Sequence, residues 1–213
     1  MIIYNDNIKR KELLKLDICI GKDVVIGKNV KLCHGCCVMG NSVLEDDCEI
    51  GINSVITNSH IGKGVNVLSS FIEDSSIGEK TTVGPFATVK KNSKIGNVCR
   101  IGNFVEVKNS TVGAETKIAH LSYVGDAELG NDCNVGCGVV FCNYNGQIKQ
   151  KSIVGNKVFI GSNVNIVAPV KIEDFSYIAA GSTINKDVLK NQFAIARSFQ
   201  TNKDNFNNPY LKR

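Results

Sequence analysis

From Ile20 onward an aliphatic residue returns about every sixth position, usually with glycine directly after it. The series runs Ile20, Ile26, Leu32, Val38, Leu44, Ile50 and Ile56, and resumes as Ile77, Val83, Val89, Ile95, Ile101 and Val107. It returns as Val154, Ile160, Ile166, Ile172, Ile178 and Ile184. A period near six matches neither an amphipathic helix nor a half-buried strand, whose periods are about 3.6 and about 2. It fits short strands joined by tight bends, three to a coil, stacked as a parallel β-helix. The predicted fold class is therefore all-β, with roughly nine coils in a prism about 43 Å long at ~4.8 Å per coil.

Within each hexad the first position is aliphatic and points inward. The fifth also points inward and takes small residues, such as Val24, Val65, Val105 and Val164. Glycine at the second position is expected to allow both a sharp bend and close packing of successive coils. With only three prolines in the chain, turn geometry is assigned to glycine and asparagine.

The repeat breaks in three places. Residues 1–19 form an N-terminal cap segment, whose NIKRKELLKL stretch is expected to be a short amphipathic helix over the first coil. The β-helix spans 20–187, and residues 188–213 form a C-terminal tail. Between Phe141 and Val154 lie thirteen steps where about six are expected, so an inserted loop is predicted over 143–153. Insertions in a solenoid collect on its binding face, which makes this loop a pointer to function.

The net charge of +5 suits an anionic small molecule. Nucleic-acid binding is not expected, since the chain has neither a basic run nor an aromatic platform for bases. The opening residues are too polar for a signal peptide or a membrane span, which reads as cytoplasmic. Disulfides are not expected there. Of nine cysteines, Cys36, Cys48, Cys99 and Cys133 fall on the inward fifth position, where a thiol acts as a compact apolar group. Cys33 and Cys36 with His34 resemble half a zinc site, but no second pair follows at ligand spacing. His34, His60 and His120 leave a metal-dependent hexapeptide hydratase as a minor reading, and no metal is assigned.

Assigning hexads to three faces shows which distant residues stack. Lys90 and Lys108 lie three hexads apart, hence one above the other on neighbouring coils. Two stacked ammonium groups repel unless an anion lies between them, which suggests a phosphate seat. His120 holds the third hexad position, and Cys137, Ser162 and Ala180 hold the same position on later coils. That row of short residues beyond a histidine forms a shallow groove suited to an extended arm. Glu106 and Tyr123 are placed on the histidine face, bringing a carboxylate and a phenol towards His120, a candidate general base.

The runs GNFVEVK, AHLSYVGDAELG, CNYNG, FIGSNVNIVAPV, IAAGSTI and AIARSFQ occur in this order. Over about residues 77–200 the chain resembles the acetyltransferase domain of the bacterial bifunctional N-acetylglucosamine-1-phosphate uridyltransferase/glucosamine-1-phosphate acetyltransferase family. The resemblance implies a left-handed β-helix and acetyl-CoA-dependent N-acetylation of an amino-sugar phosphate, with acetyl-CoA as cosubstrate. It implies His120 as general base, with Glu106 supporting it or the substrate and Asn143 beside the reacting centre. Lys90 and Lys108 would hold the sugar phosphate, and Tyr123, Asn134, Tyr144 and Lys149 would orient the sugar. Cys137, Ser162, Ala180 and Arg197 match positions that contact acetyl-CoA. A homotrimer with sites between subunits is implied as well.

The family's uridyltransferase half has no counterpart in these residues, so a separate nucleotidyltransferase is a candidate partner. Three positions depart from the family pattern. Lys90 stands where the family has arginine, Asn145 where it has aspartate, and Cys137 where it has alanine. Lysine keeps the charge but loses the bidentate fork that suits phosphate. Another phosphorylated or nucleotide-linked amino sugar is therefore the alternative acceptor, and a non-catalytic trimeric homologue is the alternative outside enzymes. Coils 20–76 carry no functional motif and read as structural extension.

Overall fold

The computed structural model describes residues 1–3 and 15–204. The helix expected over residues 7–16 lies, apart from Lys15 and Leu16, outside them. Among the described residues every regular element is a strand of two to four residues, and the strands line up into three sheets of eleven, ten and nine. Every third strand joins the same sheet, as in Thr88–Lys90, Glu106–Lys108 and Tyr123–Gly125. Pairing within the three sheets is parallel except at one end, where Ile2–Ile3 runs antiparallel to Lys31–Leu32. At the other end Phe193–Ala194 adds a last parallel strand beside Tyr177–Ile178.

The register repeats the sequence period. Val89 pairs with Val107 and Val107 with Val124, so each leading aliphatic residue stacks on its counterpart one coil away. Leu32, Ile50, Ile101, Ile118, Ile160 and Ile166 are wholly buried in one continuous core. The small fifth position is buried too, at Val65, Val105 and Val164, whereas Val24 in the first coil is only partly covered. Cys36, Cys48, Cys99 and Cys133 point inward. Burial pushes the thiols of Cys36 and Cys48 up to about 11, so both stay protonated and inert. Among the described residues no group of three or more His, Cys, Asp or Glu is placed to hold a metal ion.

Two expectations about the turns need correction. Of the second-position glycines, Gly84 alone bends through a positive φ. The others are required by close approach. At Gly102 an added Cβ would fall 1.8 Å from the Ala119 carbonyl oxygen on the next coil. The bend itself is made two residues later, in left-handed backbone, and not only by glycine and asparagine. Phe86, Val98, Phe104, Leu121 and Phe175 all adopt it, with φ between 42° and 59°. Such a conformation costs a bulky residue about 1 kcal/mol or more. The stacking of coils imposes it: Phe104 N–H donates to Phe86 O at 3.2 Å, and the two rings stack with centroids 5.6 Å apart.

Candidate functional site

His120 ends the strand Lys117–His120, which pairs with Arg100–Asn103 so that Asn103 and His120 are in register. Asn103 Oδ1 lies 2.7 Å from His120 Nδ1. An amide oxygen only accepts, so in this hydrogen bond Nδ1 is the donor and Nε2 is the nitrogen that Asn103 does not engage. Ser122 Oγ fixes the bend after the histidine through the carbonyls of His120 at 2.9 Å and Gly136 at 3.1 Å. Asn103 was not singled out from sequence. It occupies the third hexad position one coil before His120, and extending the His120–Cys137–Ser162–Ala180 row backwards would have found it.

Glu106 and Tyr123 do not share the histidine's face. They lie around the corner on the second sheet, in register with each other and beside Lys90 and Lys108. Glu106 Oε1 is 3.0 Å from Lys90 Nζ, so the carboxylate neutralises a lysine and leaves the histidine to Asn103. Lys90 and Lys108 are stacked in register as expected. Their repulsion does not by itself call for a phosphate, however, because the protein supplies its own anion in Glu106. Among the described residues no carboxylate lies within 4 Å of Lys108 Nζ, and Lys108 is the freer cation for a phosphate.

The phenol of Tyr123 also turns away from His120. Its ring lies over Gly125, where an added Cβ would fall 2.3 Å from Tyr123 Oη. The hydroxyl thereby reaches Asn143 Nδ2 at 3.4 Å. Asn143 is buried, and its amide donates also to Asp126, whose other carboxylate oxygen accepts from Asn109. This Tyr123–Asn143–Asp126 cluster roots the inserted loop. The Nδ2 group of Asn143 is thus held inside the fold by Tyr123 and Asp126. Asp126 and Asn109 were missed because hexad counting assigns columns but not the directions in which corner side chains turn.

Beyond Asn143 the chain forms a tight hairpin. Tyr144 and Lys149 bridge antiparallel, and Asn145 Oδ1 accepts from the amides of Gln147 and Ile148, both at 2.9 Å. Asn145 therefore holds the turn. Tyr144 and Lys149 are exposed, and the Tyr144 hydroxyl donates to Gly146 O at 2.7 Å. Asn134 stands apart on the first sheet, in register with Lys117 and Phe159. Three residues separate its column from that of His120, about 10 Å along the strand.

Of the predicted row, Cys137, Ser162 and Ala180 stack. The amide of Asn163 donates to Cys137 O and that of Gly181 to Ser162 O, each at 2.8 Å, so the third positions of successive coils stack. Cys137, Ser162 and Ala180 are all exposed and short. Three coil steps from His120 to Ala180 give a strip about 14 Å long. The Arg197 Cδ lies 3.7 Å from where a Cβ on Gly181 would stand, which puts a cation at the far end. A base at one end, small residues between and a guanidinium at the other can seat an extended thioester whose remote end carries phosphates.

The family described as bacterial transferase hexapeptide (six repeats) matches residues 74–109 and 151–186. The bifunctional protein GlmU of Clostridium botulinum (strain 657 / Type Ba4) is 53% identical over 185 residues, which is 87% of this chain and 40% of that protein. GlmU of Clostridium acetobutylicum is 51% identical over 87% of this chain and 41% of its own length. The chain thus spans about 40% of the length of these curated relatives. Among solved structures, a Francisella novicida UDP-N-acetylglucosamine acyltransferase is 17% identical with TM-score 0.60, over 84% of this chain and 65% of that one. LpxA, a UDP-N-acetylglucosamine acyltransferase from Bacteroides fragilis, is 19% identical with TM-score 0.51, over 80% of this chain and 66% of that one. These two likenesses speak to the fold, and the hexapeptide repeat winds it as a left-handed β-helix.

Proposed function

We propose that the chain is an acetyl-CoA-dependent N-acetyltransferase of the hexapeptide-repeat kind, a reading supported by its similarity to GlmU. Its acceptor is the 2-amino group of glucosamine 1-phosphate, a step of UDP-N-acetylglucosamine biosynthesis, which places it in the cytoplasm. The observation that carries this reading is the Asn103–His120 pair at the head of the Cys137–Ser162–Ala180 row. Asn103 holds the proton on Nδ1, and Nε2 takes a proton from the sugar ammonium as the amine attacks the thioester carbon. The short row receives the pantetheine arm and Arg197 its phosphates, while Lys108, with Lys90, receives the sugar phosphate.

Asn134 and Lys149 support an assembly of several copies. Within one chain Asn134 lies on the same sheet as His120 but three positions along from its column, and Lys149 lies on the inserted hairpin. In a homotrimer with sites between subunits, a neighbouring copy brings such residues to the histidine. The Lys90–Glu106 pair favours a second acceptor reading, in which another phosphorylated amino sugar replaces glucosamine 1-phosphate. Turnover compared across glucosamine 1-phosphate, glucosamine 6-phosphate and UDP-glucosamine separates the two. The 1-phosphate is expected to have the highest kcat/KM.

Two substitutions probe the roles. Lys108→Ala is expected to raise KM for the sugar phosphate about tenfold or more with little change in kcat, since it removes a charge-assisted contact made in ground and transition states alike. Lys90→Ala should raise it less, because Glu106 already holds that ammonium. Asn103→Leu is expected to lower kcat about tenfold while leaving both KM values within about twofold, as loss of a tautomer-fixing partner should. Steady-state kinetics with both substrates varied checks each result.

A further inference from the structure

The two outermost coils described at the N-terminal end carry a thiol pair that the site does not use. Cys19 and Cys37 are in-register neighbours on parallel strands, joined by the amide of Cys19 donating to Cys36 O at 3.0 Å. Both precede inward-pointing aliphatic residues, Ile20 and Val38, so both point outward from the second sheet. Cys19 is exposed and Cys37 partly so. Burial pushes the Cys37 thiol up, and the neighbouring Cys19 thiol pushes it the same way. In-register Cα atoms on neighbouring strands stand ~4.8 Å apart, inside the ~4.4–6.8 Å range of disulfides. No other cysteine among the described residues has a cysteine as its strand partner.

We propose that Cys19 and Cys37 form a reversible disulfide that staples the first coil of the solenoid to the second. The stoichiometry needs a partner oxidant, a low-molecular-weight disulfide of the glutathione type. The exposed Cys19 thiolate attacks it, forming a mixed disulfide and releasing one thiol. The Cys37 thiolate then attacks the Cys19 sulfur, closing the protein disulfide and releasing the second thiol. Two protein S–H bonds are lost, one S–S bond breaks and one forms, and the two electrons leave in the two small thiols.

Geometry also sets the lability of the bond. Parallel strands keep their Cα–Cβ directions parallel, so the Cβ atoms stand ~4.8 Å apart, above the ~3.5–4.5 Å a relaxed disulfide prefers. Closing it pinches two coils together, and the bond is readily reduced. The staple acts where the solenoid needs it. An end coil has a neighbour on one side only and opens first. Ile20, Val24 and Ile26 in that coil are only partly buried, unlike their counterparts further along.

The test exposes the reduced full chain to excess oxidised glutathione, then alkylates free thiols and maps linked peptides by mass spectrometry. The peptide carrying Cys19 should appear joined to the one carrying Cys37, with the chain lighter by two hydrogens. Amides of the first coil should exchange more slowly with deuterium, and dithiothreitol should reverse both changes. Because Cys33 and Cys36 share the Cys37 peptide, Cys33→Ser should keep the link, while Cys37→Ser and Cys19→Ser should each abolish it. The proposal is overturned if all thiols stay free, if Cys19 ends as a glutathione adduct without a cross-link, or if the link survives in Cys37→Ser. None of these outcomes depends on acetyl transfer.

Discussion

A chain carrying His120→Ala is expected to fold as the same solenoid and to transfer acetyl groups at least about a hundredfold more slowly than wild type. The fold should survive because His120 is exposed and its side chain hydrogen-bonds to Asn103 at the outer rim of a coil. The inward residues of that coil, Ile118 and Val124, are untouched. The rate should fall because the sugar nitrogen is an ammonium near neutrality and attacks only after losing a proton. In this corner His120 Nε2 is the free imidazole nitrogen available to take it. The loss should fall on kcat with KM for acetyl-CoA nearly unchanged, since the Cys137–Ser162–Ala180 row and Arg197 remain. Activity within about threefold of wild type, measured on protein whose circular dichroism is unaltered, would remove His120 from the mechanism.

The largest effect on stability is expected at Gly102. An alanine Cβ there would meet the backbone of Ala119 at 1.8 Å to oxygen and 2.6 Å to carbon. Neither atom can swing aside, because Ile118 and Ala119 belong to the strand that carries His120. Coils 102 and 119 must separate, which breaks ladder hydrogen bonds and opens the core on both sides. Gly102→Ala should therefore cost about 3 kcal/mol or more, at the upper end for overpacking. Gly146→Ala is the control, since nothing lies within 4 Å of its Cβ and only a φ of +95° opposes it. That substitution should cost about 1 kcal/mol. Denaturant unfolding of both variants checks the contrast, and hydrogen exchange should show Gly102→Ala losing protection first around residues 100–120. Equal stability of the two would mean that coil spacing is softer than the ladder implies.

The architecture was legible because a solenoid writes its geometry in one dimension. Each leading aliphatic residue stacks on the next, so counting by six gave the core, the columns and the position of the insertion. The same counting placed Lys90 over Lys108 and put Cys137, Ser162 and Ala180 in one row, and the register agrees at these positions. It failed where function depends on what a side chain does at a corner. Glu106 reaches diagonally to Lys90, and Tyr123 folds over Gly125 towards Asn143. Asn103 was within reach of the column argument, one coil earlier. The Asp126 cluster was not, because nothing in a periodic pattern says that an asparagine at a loop root will turn inward. Bends gave the opposite lesson: Phe86 and Phe104 hold left-handed backbone against local preference, because a stacked coil leaves the chain no other path.

The proposed reaction moves an acetyl group from sulfur to a sugar nitrogen. Wild-type and His120→Ala proteins incubated with acetyl-CoA and glucosamine 1-phosphate, with the sugar product read by mass spectrometry, test it without interference from the nine cysteines. The expected result is a product heavier than the acceptor by one acetyl group, bearing it on nitrogen, formed by wild type and all but lost in the variant. No acetylated sugar from wild type at millimolar substrate, together with no binding of acetyl-CoA, would contradict the account.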